Sequence, residues 1–293
     1  MFTDVPARIP ARNILFATDF SPCSETVFPY VCSIARKNEA TLHIVHVLSP
    51  EVLSIDPPLI LEARENAERQ MQDLAASEQL EGVHHTEVVA SGDTTETINA
   101  IVHDNDIDLV LVGTHGRTGI RKFVLGSVAE EIVRHATCPV LTLGPRVSAE
   151  ERREAKFNHI LFATDLARVN EPALKHAMCI ANEYHAALTL FHAIPTAPVV
   201  DAYTAVSVLR RKLMELVPLE RDRKFQPEAV VEIGSPAELI VSAAATRHAD
   251  LIVLGARRPA VLTTRLMDTA YRVIVEAPCP VLTVGASYQA AAA

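Results

Sequence analysis

Tryptophan is absent from this 293-residue chain, and aromatic residues make up only 5% of it. Any core must therefore be filled by Ala, Val, Ile and Leu, which suits buried parallel strands covered by helices. A disulfide framework is also missing. The five cysteines (Cys23, Cys32, Cys138, Cys179 and Cys279) are odd in number and contain no C-x-x-C pair, as expected of a reducing compartment. There is no basic surplus: 27 Lys and Arg stand against 36 Asp and Glu, for a formal net charge of -9 and a pI of about 5.7. That argues against non-specific nucleic-acid binding, which requires a basic face. No apolar run approaches the roughly 20 residues that span a bilayer, and the first residues lack a charged-then-apolar signal pattern. A cytoplasmic protein without nucleic-acid or membrane partners is expected.

Several chemical signatures are missing too. No G-x-x-x-x-G-K-S/T occurs, and no G-x-G-x-x-G follows the first strand. No elbow motif supports Ser-His-Asp catalysis. Twelve histidines are present, but His43 and His46 lie three apart on one strand and point to opposite faces, as do the neighbours His84 and His85. Structural or surface roles fit them better than metal binding. Cys138 and Cys279, each just before a strand, are expected to be buried packing groups, since redox work needs an exposed thiolate.

What is present is an alternation of strands and helices. Residues 13–18 read as a buried strand ending in Asp19-Phe20-Ser21-Pro22, a helix start with Pro22 in the first turn. A helix runs from there to about Lys37, with Pro29 expected to disturb it or mark a late start. Residues 41–47 form a second strand. After Pro50, Pro57 and Pro58 an amphipathic helix extends to about Leu80. Residues 85–90 make a third strand. Ser91-Gly92-Asp93 turns and caps a helix over 94–104. Residues 108–112 form a fourth strand, 127–135 a helix and 138–143 a fifth strand. Such alternation implies right-handed crossovers and a parallel sheet.

A polar linker over 144–156 follows, and then the pattern restarts. Ile160-Leu-Phe-Ala-Thr-Asp165 repeats Ile14-Leu-Phe-Ala-Thr-Asp19, and residues 187–193 repeat the second strand. Residues 249–255 repeat 107–113, and 277–284 repeat 136–143. Four matches in the same order, at offsets of 141–146 residues, establish an internal duplication. Two α/β domains follow, 1–145 and 157–287.

One stretch carries the chemistry. The strand over 108–112 runs into Gly113-Thr-His-Gly116, then nine residues, then Gly126-Ser127 at a helix start. Glycine lets backbone approach an anion, and a helix N-terminus offers free N–H groups and a positive dipole end. This spacing resembles the G-x2-G-x9-G-S/T nucleotide signature of universal stress proteins. Also similar are Ala17 to Ser21, His46-Val47 and the closing His135-Ala-Thr-Cys-Pro-Val.

The resemblance implies two tandem domains of the adenine nucleotide alpha hydrolase type. Each would be a five-stranded parallel sheet of order 3-2-1-4-5 between helices. ATP, with or without Mg, would lie across the strand ends near the order reversal. Asp19 would accept ribose hydroxyls and Val47 would meet adenine. Gly113 and Gly116 would admit the loop backbone. Gly126, Ser127 and Val128 would hold phosphates, with Ala17 and Val112 beside them. Arg117, Arg121 and Lys122 read equally as phosphate screens and as a solvated loop. The second domain keeps Gly255 but has Arg258 and Asp268 in place of the other two glycines, so ATP binding is not expected there.

The resemblance further implies a stress-response protein switched by nucleotide, with no catalytic residue assigned. It also implies pairing of the fifth strands within the chain, a further homodimer and a protein partner. A slow ATPase or phosphotransferase, and a nucleotide-independent scaffold, stay open as alternatives.

Overall fold

The structure, a computed structural model, describes residues 11–49, 57–114, 125–148, 150–195, 202–218, 224–256 and 268–285. It divides into two compact units, Pro10–Ala155 and a second beginning at Lys156.

The first unit contains β1 (Asn13–Ala17), α1 (Pro22–Asn38), β2 (Thr41–Leu48), α2 (Pro57–Ala75) and β3 (His84–Ser91), then α3 (Thr94–Asp104), β4 (Leu109–Gly113), α4 (Ser127–His135) and β5 (Val140–Leu143). Its strands are parallel and ordered β3-β2-β1-β4-β5. The order reverses between β1 and β4, where neighbouring crossovers leave to opposite faces and open a crevice. Helices α1 and α2 cover one face, and α3 and α4 the other. Apolar spacing sets the buried side of each helix, with Ile98 and Val102 on α3 and Ala129, Ile132 and Val133 on α4.

Two helices depart from expectation. Helix α1 runs unbroken through Pro29. Its backbone φ suits a helix, and the buried Val27, Phe28, Tyr30 and Val31 on either side offset the roughly 3 kcal/mol that an interior proline costs. Helix α2 stops at Ala75 rather than near Leu80, and a short 3-10 turn, Glu78–Leu80, follows. The Ser77 hydroxyl accepts from Gln79 N there, a local bond that competes with helix continuation.

The linker is not a loose tether. Arg152 donates to Gly144 O and to Thr26 Oγ1 on α1. The fully buried Ala155 donates its N–H to Ser33 Oγ at 3.0 Å, and its carbonyl accepts from Lys37.

The second unit contains β6 (His159–Ala163), α5 (Glu171–Tyr184), β7 (Ala187–Ile194), α6 (Ala202–Glu215), β8 (Pro227–Ile233), α7 (Pro236–Thr246), β9 (Leu251–Ala256), α8 (Asp268–Glu276) and β10 (Val281–Gly285). The order is β8-β7-β6-β9-β10 and all pairs are parallel, the same topology. The duplication reaches individual dihedrals. Among the described residues six non-glycine residues have left-handed φ, and they form three equivalent pairs: Phe20 and Leu166, Glu39 and His185, Asp106 and His248. Asp108 accepts from Arg12 N and Asn13 N, and Asp250 from Asn158 N and His159 N, through one oxygen in each case.

Candidate functional site

The first unit gathers polar groups at the carboxyl ends of β1, β2 and β4. Past Ala17 the chain turns sharply. Thr18 N donates to Val45 O, and Thr18 O lies 2.8 Å from His46 Nδ1, so that nitrogen carries the proton. Phe20 stacks on the His46 ring with centroids 4.5 Å apart. The left-handed φ of 56° at Phe20 costs a bulky residue on the order of 1–3 kcal/mol. It is held by Phe20 N donating to Thr18 Oγ1 and Ser21 N donating to Asp19 Oδ1, both at 3.0 Å. Ser24 Oγ adds a 2.7 Å bond to the same oxygen. The turn fixes the half-buried Asp19 carboxylate at the strand end. Thr18, Ser21 and Ser24 are buried and engaged in this turn.

Beside this turn β4 ends. Val112 is in register with Ala17. Thr114 is fully buried, and both its N–H and its hydroxyl donate to Leu143 O. Gly126 N then donates to Thr114 O at 2.8 Å, which fastens the start of α4 to the end of β4. Gly126 is the N-cap of α4 and has no side chain to cap it. Among the described residues no side chain caps the first-turn N–H groups of this helix, which have no intrahelical partner. By contrast Ser21 caps α1 and Asp93 caps α3. Glu130, in the first turn of α4, is neutralised by Arg134 at 2.6 Å.

Between these parts lies a cleft of about 190 Å³. Of the residues expected in the site, Ala17, Asp19, Val47 and Val128 line it. Val112 and Gly113 sit at the adjoining end of β4, and Gly126 and Ser127 adjoin Val128 at the helix start. Gly116, Arg117, Arg121 and Lys122 lie outside the described residues. Sequence reasoning missed Thr94 and Ile98, which wall the cleft from α3, and Val45 and His46 beneath. The Ser91-Gly92-Asp93 turn placed the start of α3, and a helix start at a parallel-strand end was the available signal. Burial pushes the thiols of Cys32, Cys138 and Cys179 up to about 12, so these three stay protonated at neutral pH. Cys279 is buried as well.

The family model for the universal stress protein family matches residues 10–143 and again 156–285. The chain belongs to that family. A protein of Staphylococcus aureus (strain USA300) named as a universal stress protein is 30% identical over 141 residues, which are 46% of this chain and 85% of the relative. A universal stress protein crystal structure from Archaeoglobus fulgidus has the same fold, with a TM-score of 0.74 at 20% identity. That match covers 95% of this chain and 98% of the other. A Pseudomonas aeruginosa structure (strain UCBPP-PA14), also titled as a universal stress protein, matches with a TM-score of 0.60 at 19% identity over 94% of each chain. Family membership places the chain among stress-response proteins. Among the described residues no helix is long and apolar enough to cross a membrane.

The second universal stress protein unit repeats the turn with other residues. Leu166 has φ 64°, and His192 Nδ1 bonds Thr164 O at 2.8 Å. Asp165 Oδ1 accepts from Ala167 N and, at 2.6 Å, from Asn170 Nδ2. Asn170 stands where the first unit has Ser24. Its longer carboxamide also reaches Thr164 Oγ1 and lies against Gly255: a Cβ there would come within 2.0 Å of Asn170 Oδ1. The retained first glycine thus has a packing reason of its own. At the equivalent Gly113 a Cβ would meet its nearest neighbour, Cys23 Sγ, at an ordinary 3.4 Å. Asp268 begins α8 at the position equivalent to Gly126, and Arg258 lies outside the described residues.

Proposed function

We propose that the first unit binds ATP and that its occupancy switches this universal stress protein between partner-binding states. The observation that carries the reading is the uncapped start of α4, tied by Gly126 to the end of β4 beside the cleft that holds Asp19. Each part suits a different portion of the nucleotide. Val45, Val47 and Ile98 offer apolar walls to adenine. The fixed carboxylate of Asp19 accepts hydrogen bonds from ribose hydroxyls. The N–H groups of Ser127 and Val128 and the Ser127 hydroxyl face the phosphates, where the helix dipole favours negative charge. Mg²⁺ accompanying the nucleotide would be held chiefly by phosphate oxygens and water, as its octahedral shell favours.

Calorimetric titration of the full chain with ATP tests this. One nucleotide per chain is expected. Gly126→Asp, which copies the second unit, places a carboxylate at the helix start and should weaken binding by at least about 100-fold, since it caps the free N–H groups itself and repels the phosphates. Unchanged affinity would refute the site. Two ATP per chain would refute the assignment of binding to the first unit alone. A homodimer is part of the same proposal, and sedimentation velocity with and without ATP reads it.

A further inference from the structure

On the sheet face opposite the candidate nucleotide cleft, each unit carries a second cavity at the same place. In the second unit it has a volume of about 360 Å³, and Phe162, Leu166 and Leu174 form its apolar lining together with Leu216, just after α6. In the first unit a cavity of about 320 Å³ is lined by Phe16, Phe20 and Phe28. These are the residues 146 positions earlier than Phe162, Leu166 and Leu174. Thr18, Ser24 and Glu25 likewise correspond to Thr164, Asn170 and Glu171. The cavity is therefore a property of the repeated fold. The second unit keeps it, and keeps the larger of the two, although its glycine signature is incomplete.

The two cavities differ in charge. In the second unit Arg168 lines the wall and makes no ion pair among the described residues. Glu171, the acidic group there, is balanced by Lys175 at 3.4 Å. The first turn of α5 lines the same wall, and its N-cap residue Asn170 makes no capping bond because its carboxamide is drawn to Thr164 and Asp165. A guanidinium thus borders an apolar pocket. In the first unit the ionisable lining groups are Glu25 and Asp73, and α1 is capped by Ser21. That pocket repels an anion.

We propose that the second unit binds a small amphipathic carboxylate, with its apolar body between Phe162, Leu174 and Leu216 and its carboxylate at Arg168. Asn170 joins this cavity to the strand ends, since the same side chain lines the pocket, bonds Asp165 and fills the space left by Gly255. The inference does not depend on ATP binding by the first unit.

Titration of the full chain with octanoate, followed by calorimetry, tests it. One saturable site per chain is expected, with octylamine binding at least about tenfold more weakly because its charge faces Arg168. Arg168→Gln should weaken octanoate about tenfold, a bidentate charged contact being lost. Leu174→Trp should fill the cavity and abolish binding. If that variant fails to fold, Leu216→Trp fills the same space from outside the helix layer and carries the test. Phe28→Trp, the equivalent change in the first unit, should leave octanoate binding unchanged. Absence of saturation up to millimolar octanoate, equal affinity for octylamine, or binding insensitive to Arg168→Gln and to the tryptophan variants would each overturn the proposal. So would loss of binding in Phe28→Trp alone.

Discussion

Gly255 and Gly113 occupy equivalent positions and have different reasons to be glycine. At Gly255 a methyl group would collide with the Asn170 carboxamide at 2.0 Å and approach its Cα at 3.2 Å. The carboxamide has two hydrogen bonds to keep and little room to retreat. Gly255→Ala should therefore destabilise the second unit by about 1–3 kcal/mol, the usual cost of overpacking. Asn170→Ser, the first unit's solution at this position, should recover much of that loss. Gly113→Ala should cost less than about 1 kcal/mol, because its nearest contact is an ordinary 3.4 Å. Urea melts of the three variants, Gly255→Ala, Gly255→Ala with Asn170→Ser, and Gly113→Ala, decide the matter. Equal losses at Gly113 and Gly255 would show that backbone conformation, not Asn170, fixes the residue. Asp19 was legible from its place at the end of a buried strand, and so was the missing cap at Gly126, because both are matters of residue type and spacing. The positive φ at Phe20 and Leu166 was not. Nothing in a phenylalanine or a leucine announces that conformation, and it exists here because Thr18 and Asp19, and Thr164 and Asp165, bond the following N–H groups.

At the scale of elements, periodicity revealed the strands and the core-facing sides of the helices, since burial and hydrophobic spacing are one signal. It left open which elements meet. Thr94 and Ile98 reach the cleft because the chain crosses the sheet between β3 and β4, a non-local consequence of topology. The linker is a similar case. Its composition reads as a polar linker, yet Ala155 is buried against α1 and donates to Ser33 Oγ. Ser33→Ala would leave that N–H buried without an acceptor, at a cost of about 1–3 kcal/mol. Opening of the segment should rise about tenfold or more, and with it the rate of tryptic cleavage after Arg153 or Lys156. Quantified limited proteolysis reads this directly. A cleavage rate equal to that of the parent chain would mean that Arg152 and Lys37 alone hold the linker down.

For the molecule as a whole, duplication gives two units of the same topology, and among the described residues each holds a buried histidine whose pKa is lowered by burial. In the first unit His43 meets Thr86 Oγ1 at 2.9 Å from Nδ1, and its buried Nε2 has no partner among the described residues. In the second, His176 lies within α5 with Nδ1 against Pro172 O. Burial lowers both pKa values below the ordinary 6.5. The unfolded chain therefore binds more protons than the folded one between the lowered values and 6.5, and stability must rise with pH over that window. Both units should be at full stability above about pH 6.5 and lose it as pH falls toward the folded-state values. His176→Tyr offers a clean comparison, because the first unit already buries Tyr30 at the equivalent position. In a pH series of denaturant melts the acid limb of the second unit should flatten in this variant, while that of the first unit persists. Persistence of the same acid slope in both units after the substitution would place the titrating group among the carboxylates rather than at His176.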